Sequence, residues 1–412
     1  MKILLASSSF GGGGITSYAL ELIDKYSVGN DFYVMLGNDT KSPIKNKNVK
    51  IVYRNMSDIS MANLKKTVEI INNEIKPDIV INSFAKVISL IAPYLNNNIK
   101  LITVSHSLKY IEAELAGMIN KYIDKIIALS HSGKRYISKR FAIKDTDKIS
   151  VIYNFVGEHP QAEEYRKRKL GNKTINIVYP GGCAGSKTPE LVIRVLKELQ
   201  KTDLNFKFYW MGGNYVHLSR HFPFLGVNDI RDFVKSDERI IFTGKIPREE
   251  ANEIISNANI FFSPSRREGC PMSLIEAMRV GAICIVSDFP IANKEIIEDG
   301  VNGYVIPHMN IQGFVERIKD VINNHGEYSH IYDNSYKTFY ETLRYENWKR
   351  QMDELINNPC TSHNSRRKHI STAKLRFDIL KFKIRSRICK LDVTIHEDIR
   401  VLFSLYKLKK NN

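Results

Sequence analysis

Residues 259–288 read NIFFSPSRREGCPMSLIEAMRVGAICIVSD, and this stretch decides the predicted fold. The apolar runs NIFF and ICIVSD each predict a buried strand, while MSLIEAMRV between them predicts a helix. Strand, loop, helix and buried strand in this order are typical of a parallel sheet covered by helices on both faces. Ser263–Pro271 then joins the carboxyl end of a strand to a helix, where ligands bind in open α/β sheets.

The same alternation of apolar strands and amphipathic helices extends over most of the chain. It runs from MKILLAS to KISVIYN, lapses in the polar stretch between residues 154 and 172, and restarts at INIVYPGG. The polar stretch is the best candidate for an interdomain linker. We therefore predict an α/β fold with two Rossmann-like, doubly wound domains that face each other across a cleft. The predicted domains cover residues 1–160 and 172–335, followed by a helical segment at 336–358. A basic helical tail occupies 361–412.

Composition agrees with a globular protein. Of 412 residues, 43% are hydrophobic and 25% charged, which is close to the average. No apolar run reaches the roughly 20 residues of a membrane-spanning helix, and the apolar run at the start is too short for a signal-peptide core. We therefore expect a cytoplasmic protein. The five cysteines are scattered and odd in number, so neither a zinc site nor a disulfide framework is expected.

Two glutamates follow the strand NIFF at a functionally interesting spacing. Glu268 lies in the loop and Glu276 in the first turns of the helix. The backbone amides of Met272, Ser273 and Leu274 form a positive helix end that suits a diphosphate. The glutamates can accept hydrogen bonds from hydroxyls of a sugar and a ribose; alternatively, they are ordinary solvated carboxylates.

This stretch resembles the glutamate–seven residues–glutamate signature of glycosyltransferase family 4, a group of retaining enzymes with the GT-B fold. The resemblance is strong over residues 174–308 and loose over 1–160. It implies that the second domain binds the nucleotide sugar and the first lies on the acceptor side. It also implies that Glu268 lies near the donor sugar and that Glu276 holds the ribose.

The resemblance extends to YPGGCAGSKTPEL at residues 179–191. Family members have a glycine-arginine pair here and a lysine six residues after the glycine, both cations meeting the donor phosphates. Lys187 matches the lysine and is assigned a catalytic role, but Gly182 stands where the arginine is expected. Arg266, Arg267 or the bare backbone could replace that arginine. Gly244 is expected to line the nucleotide pocket.

The first domain contributes two candidates. The resemblance places the glycine loop that contains Gly13 and Gly14 under the donor, where the backbone must approach closely; the alternative is a tight turn only. His106 ends the strand LITVSH, where it either contacts the donor or acceptor or is a satisfied structural histidine. Asn154 and Trp348 also match the family and are predicted to be structural. The match at Trp348 implies that the helix at 336–358 crosses back to the first domain, as in the GT-B fold.

The end of the chain is strongly basic. Residues 361–412 carry 14 Lys and Arg against 4 Asp and Glu, in a chain with a net charge of +17. Residues 366–391 place Leu375, Ile379 and Phe382 among these cations, a pattern that suits an amphipathic helix on an anionic membrane surface. A solvated tail and adsorption to RNA are the alternatives. Family members commonly work at the inner face of the cytoplasmic membrane, which implies a peripheral location.

Together these features predict a retaining glycosyltransferase of bacterial surface polysaccharide synthesis. The donor would be a UDP-, GDP- or ADP-sugar, and the acceptor a glycan or a lipid-linked glycan. No cofactor, metal or nucleic acid is expected, because no Asp-x-Asp pair ends a strand and the protein supplies its own cations. The alternatives are a sugar-nucleotide epimerase or glycan phosphorylase on the same fold, and a non-catalytic relative that binds sugar nucleotides or membranes.

Overall fold

The computed structural model describes residues 1–8, 10, 14–37, 44–106, 116–117, 119–219, 227–289, 292–358, 366, 371–384 and 387. The chain divides into two compact units. The first comprises Met1–Ile127, Ile137–Ser150 and Asn358–Asn412, and the second Ala128–Tyr136 and Val151–Asn357.

A seven-stranded sheet forms the centre of the first unit. Its strands follow the order β3-β2-β1-β4-β5-β6-β7, and β1 pairs in parallel with both β2 and β4. The strands are β1 (Lys2–Ser7), β2 (Asp31–Leu36), β3 (Val49–Tyr53), β4 (Ile79–Ser83), β5 (Lys100–Ser105), β6 (Lys125–Ala128) and β7 (Ile149–Val151). The helices between them are α1 (Gly14–Tyr26), α2 (Met61–Glu69), α3 (Lys86–Ile91) and α4 (His131–Phe141).

The second unit contains a six-stranded sheet with the order β10-β9-β8-β11-β12-β13. Its strands are β8 (Ile175–Tyr179), β9 (Phe206–Met211), β10 (Ile240–Gly244), β11 (Ile260–Ser263), β12 (Ile283–Ser287) and β13 (Gly303–Ile306). Its helices are α5 (Ala162–Arg168), α6 (Pro189–Gln200), α7 (Tyr215–Ser219), α8 (Val227–Lys235), α9 (Arg248–Ser256), α10 (Met272–Arg279), α11 (Asn293–Ile296), α12 (Ile311–Asn324), α13 (Ser329–Thr338) and α14 (Tyr345–Asn357). The predicted fold class, two Rossmann-like units, is confirmed.

The burial of the side chains explains why the sequence pattern predicted these elements. Every residue of β11 and β12 is buried, as expected for strands covered on both faces. Helix α6 spans Pro189–Gln200, and Leu191, Val195 and Leu199 on one of its faces are fully buried. They share one core with strands β8, β9 and β11 and with α12.

The segment between residues 154 and 172 was expected to be a linker, yet it contains regular structure. Helix α5 lies within it, and a short 3₁₀ turn at Lys169–Gly171 leads into β8. Phe155, at the start of the segment, stacks on Trp348 with ring centroids 4.0 Å apart. Trp348 is buried, in agreement with its predicted packing role. Helix α14, which carries it, belongs to the second unit.

The basic tail forms a helix at 372–384 that belongs to the first unit. Leu375 and Phe382 are buried, whereas Phe377, Leu380 and Ile384 are among the exposed large hydrophobic side chains. The expectation that Leu375 and Phe382 form a membrane-facing surface is therefore wrong. They pack inward because the helix is apolar on two faces and the protein covers one of them.

Arg366 anchors the same segment. Its side chain is fully buried and lies 3.4 Å from the carboxylate of Asp124. It also donates hydrogen bonds to the carbonyl oxygens of Asn96, Ile99 and Tyr122. Among the described helices, none is both long and apolar enough to cross a lipid bilayer.

Candidate active site

The loops that carry most of the predicted site residues meet at one edge of the second sheet. Strands β10, β9, β8 and β11 are neighbours in that order, and each adjacent pair is parallel. Their carboxyl ends therefore lie side by side. Gly182 and Lys187 follow β8, Gly244 ends β10, and Glu268 follows β11.

Lys187 and Glu268 form an ion pair between Nζ and Oε1. Their side chains are 25% and 11% exposed, so Glu268 is not an ordinary solvated carboxylate. The Lys187 carbonyl accepts a hydrogen bond of 3.0 Å from the Tyr179 hydroxyl, which fixes the turn that carries the lysine. The structure thus brings together a cation and a carboxylate that lie 81 positions apart in the sequence.

Glycines shape the neighbouring loops. Gly182 has a φ of +58°, its amide donates to the Met211 carbonyl, and its own carbonyl accepts a 2.9 Å hydrogen bond from Trp210 Nε1. Gly213 has a φ of +79°, and a Cβ there would come within 2.3 Å of the Cys183 sulfur. The left-handed backbone at position 182 favours glycine there over the arginine of the family pattern.

Arg266 lies close to the segment that lacks the arginine. Its backbone amide donates to the Ser186 carbonyl at 2.8 Å, and its guanidinium pairs with Glu190. Of the candidates to replace the missing arginine, Arg266 therefore lies next to the turn that carries Lys187. Glu190 was not among the predicted site residues, although an acidic residue directly after Pro189 at a helix start is a recognisable signal.

The amino end of α10 is formed by Pro271 and Met272, as the sequence pattern predicted. Leu274 does not offer a free amide, however, because its N–H donates to the Pro271 carbonyl at 3.1 Å. That part of the prediction is wrong: the bond is of the 3₁₀ type, to the carbonyl three residues earlier, and it occupies an amide that an α-helix leaves without a partner in its first turn. The side chains of Met272 and Leu274 are buried, and those of Ser273 and Glu276 are partly buried.

Asn154 supports the loop that contains Glu268. Its Nδ2 donates a 2.5 Å hydrogen bond to the carbonyl of Cys270, two residues after the glutamate. Burial raises the pKa of the Cys270 thiol to about 12, so this cysteine stays protonated near neutral pH. The loop is therefore fixed by a buried amide side chain rather than by reactive groups.

The remaining candidates lie in the first unit. Gly13 falls outside the described residues, and Gly14 is the first residue of α1 and is exposed. His106 follows β5 as predicted but is only 8% exposed. Its Nε2 lies 2.8 Å from the Ser83 hydroxyl, and its ring meets that of Tyr18 edge to face. Burial lowers the pKa of His106 to about 4, so the imidazole is neutral at pH 7.

Comparison with known families identifies this region. Residues 160–338 match the family model described as glycosyl transferases group 1. This region belongs to the group 1 glycosyl transferases. The matched region of the chain contains Lys187, Arg266, Glu268 and Glu276, together with the glycine loops after β8, β9 and β10.

Proteins similar to this chain occur among bacterial enzymes. An uncharacterized glycosyltransferase of Haemophilus influenzae is 26% identical over 248 residues, covering 58% of this chain and 65% of the relative. The lipopolysaccharide 1,6-galactosyltransferase of Salmonella typhimurium is 31% identical over 115 residues, covering 27% and 32%. The matches therefore span less than two thirds of either relative.

Solved structures identify the fold of the chain. Anabaena HepE, crystallised in complex with UDP-glucose, superposes with a TM-score of 0.70 at 16% identity. The match covers 86% of this chain and 99% of that protein. At this identity the likeness concerns the fold, and the fold is GT-B.

Proposed function

We propose that this protein is a retaining glycosyltransferase that moves a sugar from a nucleoside diphosphate donor to a glycan or lipid-linked acceptor. The observation that carries the proposal is the Lys187–Glu268 ion pair beside the amino end of α10. A cation and a helix amino end can together balance the negative charge of a diphosphate. A carboxylate next to them can accept hydrogen bonds from sugar hydroxyls.

In the proposed reaction, the bond between the anomeric carbon and the donor's phosphate oxygen breaks. The acceptor oxygen forms its bond to the same face of that carbon, and the acceptor proton passes to the departing diphosphate. Lys187 releases Glu268 and turns to the leaving group, whose charge increases during the step. Arg266, held beside this turn, is the second cation available to the phosphates. We propose that these groups meet the charge without a metal ion.

The match to group 1 glycosyl transferases supports this function. The Salmonella relative, which acts on lipopolysaccharide, supports a setting in bacterial surface polysaccharide synthesis. An epimerase on the same fold would convert the donor in the absence of any acceptor, and a non-catalytic relative would leave every donor unchanged. Whether the donor is consumed, and which product forms from it, therefore distinguishes the three functions.

The test incubates the full chain with a panel of UDP-, GDP- and ADP-sugars and follows slow donor hydrolysis and product configuration by NMR. We expect hydrolysis of one donor class with retention. Glu268→Gln should lower the rate at least a hundredfold, since it removes a charge that contacts the reacting sugar. Glu354→Gln, on the exposed face of α14, is the matched control. Undiminished activity of Glu268→Gln would remove this residue from the site.

We further propose that the helix at 372–384 attaches the protein to anionic membranes. At about 100° per residue, Phe377, Leu380 and Ile384 fall on one outward face, and all three are about half exposed. Lys381 and Lys383 are exposed on either side of this apolar stripe. Such a helix lies in the membrane interface, with each cation near anionic headgroups contributing about 1 kcal/mol.

Sedimentation with vesicles tests the membrane proposal. The wild-type protein should bind vesicles rich in phosphatidylglycerol, bind phosphatidylcholine vesicles far more weakly, and dissociate at high salt. The triple variant Phe377→Ser/Leu380→Ser/Ile384→Ser should lose most of this binding. Val28→Ser/Tyr53→Ser removes exposed apolar side chains elsewhere on the first unit and should bind normally. Equal binding of the two variants would contradict the proposal.

A further inference from the structure

A polar cavity of about 380 Å³ opens in the second unit near the amino-terminal ends of β8 and β9. The candidate active site follows the carboxyl ends of the same strands, so the two sites occupy opposite ends of the sheet. The volume falls in the range of small-molecule sites, roughly 300–1,000 Å³. The cavity is therefore large enough for a monosaccharide-sized ligand.

Strand alternation explains why this face of the sheet is polar. Phe206, Phe208 and Trp210 of β9 are buried in the main core, whereas Lys207 and Tyr209 point to the opposite face and are exposed or half buried. Asn176 of β8 is the register partner of Lys207, so both side chains lie on this second face. They line the cavity together.

The walls of the cavity are strongly cationic. Arg168, Lys169, Lys173 and Lys207 line it, and the lining, all of which lies in the described part of the chain, includes no Asp or Glu. Arg168 lies 3.9 Å from Glu164, and within the described residues neither Lys173 nor Lys207 forms an ion pair. Glu253 bonds to the lining residues Tyr165 and Asn257 from outside the cavity. Lysines that face one cavity without a carboxylate partner of their own attract an anion.

Lys169 is the most unusual of these cations because its side chain is almost fully buried. Its Nζ donates hydrogen bonds to the carbonyl oxygens of Ser256 and Ala258, at 2.8 and 2.6 Å. Neither partner is a carboxylate. Burial, with a contribution from nearby Arg168, lowers the pKa of Lys169 to about 7. An anion in the cavity would compensate this desolvated charge.

The cavity also offers an unsatisfied hydroxyl. Ser256 lines it, is fully buried, and its Oγ has no hydrogen-bond partner among the described residues. Buried polar atoms without partners are uncommon in folded proteins, and a bound water or ion is one explanation for them. The Tyr209 side chain, also in the lining, presents a second hydroxyl on a ring that can pack against a sugar.

We propose that this cavity binds a small phosphate ester with a hydroxylated body, such as a sugar phosphate. Its phosphate group contacts Lys173 and Lys207 and balances the charge of Lys169, while Ser256 and Tyr209 contact hydroxyl groups. The site is distinct from the one proposed for the donor, because it lies at the other end of β8 and β9. The inference does not require the proposed transfer reaction.

Isothermal titration of the full chain with glucose 1-phosphate tests the site. The titration is made at constant ionic strength and with saturating UDP, so that the proposed donor site is occupied. We expect saturable binding that weakens at least tenfold in Lys173→Gln/Lys207→Gln, since charge-assisted hydrogen bonds to phosphate are lost. Lys235→Gln removes an exposed lysine at the end of α8, outside the lining, and should bind like the wild type.

Glucose and inorganic phosphate serve as reference ligands. Inorganic phosphate should compete with glucose 1-phosphate, whereas glucose should bind much more weakly. Absence of saturable binding, equal affinity in the double variant, or equally tight binding of glucose would overturn the proposal. UDP is titrated separately into the wild type and the double variant. Failure of UDP to bind either protein would count against the proposed transfer function and would leave the comparison at the cavity intact.

Discussion

His106 illustrates how burial limits what a single residue can do. Its imidazole contacts Ser83 and Tyr18 and has a pKa lowered to about 4 by burial. The neutral ring can still donate or accept a hydrogen bond, but it carries no positive charge at pH 7. Its position at a strand's carboxyl end was correctly predicted, whereas its burial depends on side chains from β4 and α1 that no local pattern reveals.

The shifted pKa of His106 predicts acid sensitivity. Between about pH 6.5 and pH 4 the unfolded state binds a proton that the folded state does not, so the free energy of unfolding falls as the pH drops through this window. Above pH 6.5, His106 does not make the free energy of unfolding depend on pH. His106→Asn should flatten this part of the profile, which urea unfolding at pH 4.5, 5.5 and 7 would measure.

A matched histidine checks this assignment. His330 is exposed in α13, and His330→Asn should retain the wild-type dependence of stability on pH. Only the slopes are compared, because His106→Asn also loses packing and its contact with Ser83. A wild-type slope in His106→Asn would contradict the lowered pKa.

Among the loops, the one between β11 and α10 depends on a contact from outside it. Asn154 holds the Cys270 carbonyl, and Asn154→Leu should cost about 1–3 kcal/mol by leaving a buried carbonyl without its donor. Because Glu268 lies two residues away, kcat should fall at least tenfold, with a smaller change in KM. Steady-state kinetics and urea unfolding would measure both effects.

The two readouts separate positioning from simple stability. Asn228→Leu changes an exposed asparagine of α8 and should affect neither. If Asn154→Leu loses stability but keeps its kcat, the hydrogen bond holds the fold and does not position Glu268. A loss of kcat at a temperature where the variant is fully folded supports positioning.

Elements of the second unit were predictable where local pattern and burial coincide. Strands β11 and β12 are apolar throughout because both faces are covered, and α6 begins at a proline and carries a continuous apolar face. The Lys187–Glu268 pair was not predictable as a contact from spacing, because it joins loops of two strands that neighbour each other only in the folded sheet. Likewise, the Leu274 amide could be excluded only once the cap carbonyl of Pro271 was located.

The glycine at position 182 shows how backbone geometry can account for a departure from a family pattern. Its positive φ and its hydrogen bonds to Met211 and Trp210 shape the loop. A large side chain would be strained in this conformation. We propose that Arg266, which follows a different strand, takes the place of the cation expected at this position.

At the scale of the whole molecule, the tail is part of the first unit's core. Arg366→Met would leave the Asp124 carboxylate buried without its counter-ion, and we expect a loss of about 3–5 kcal/mol in the free energy of unfolding. Urea unfolding measures the loss. Arg376→Met, which removes an exposed cation of the helix at 372–384, should change stability little, and a similarly small effect of Arg366→Met would contradict the structural role.

This anchoring alters how membrane attachment should be tested. Deleting residues 361–412 would remove Arg366, Leu375 and Phe382 from the first unit together with the exposed stripe. A truncated protein that no longer binds vesicles could simply be unfolded. Substitutions confined to the outward stripe leave the buried contacts in place, so they report on the surface alone.

The contact between Arg366 and Asp124 also has a consequence for synthesis on the ribosome. The two residues are 242 positions apart, and the second unit ends at Asn357, before Arg366. During translation, the Asp124 carboxylate therefore lacks its guanidinium partner until the whole second unit has been made. The part of the protein that is made first is thus completed last.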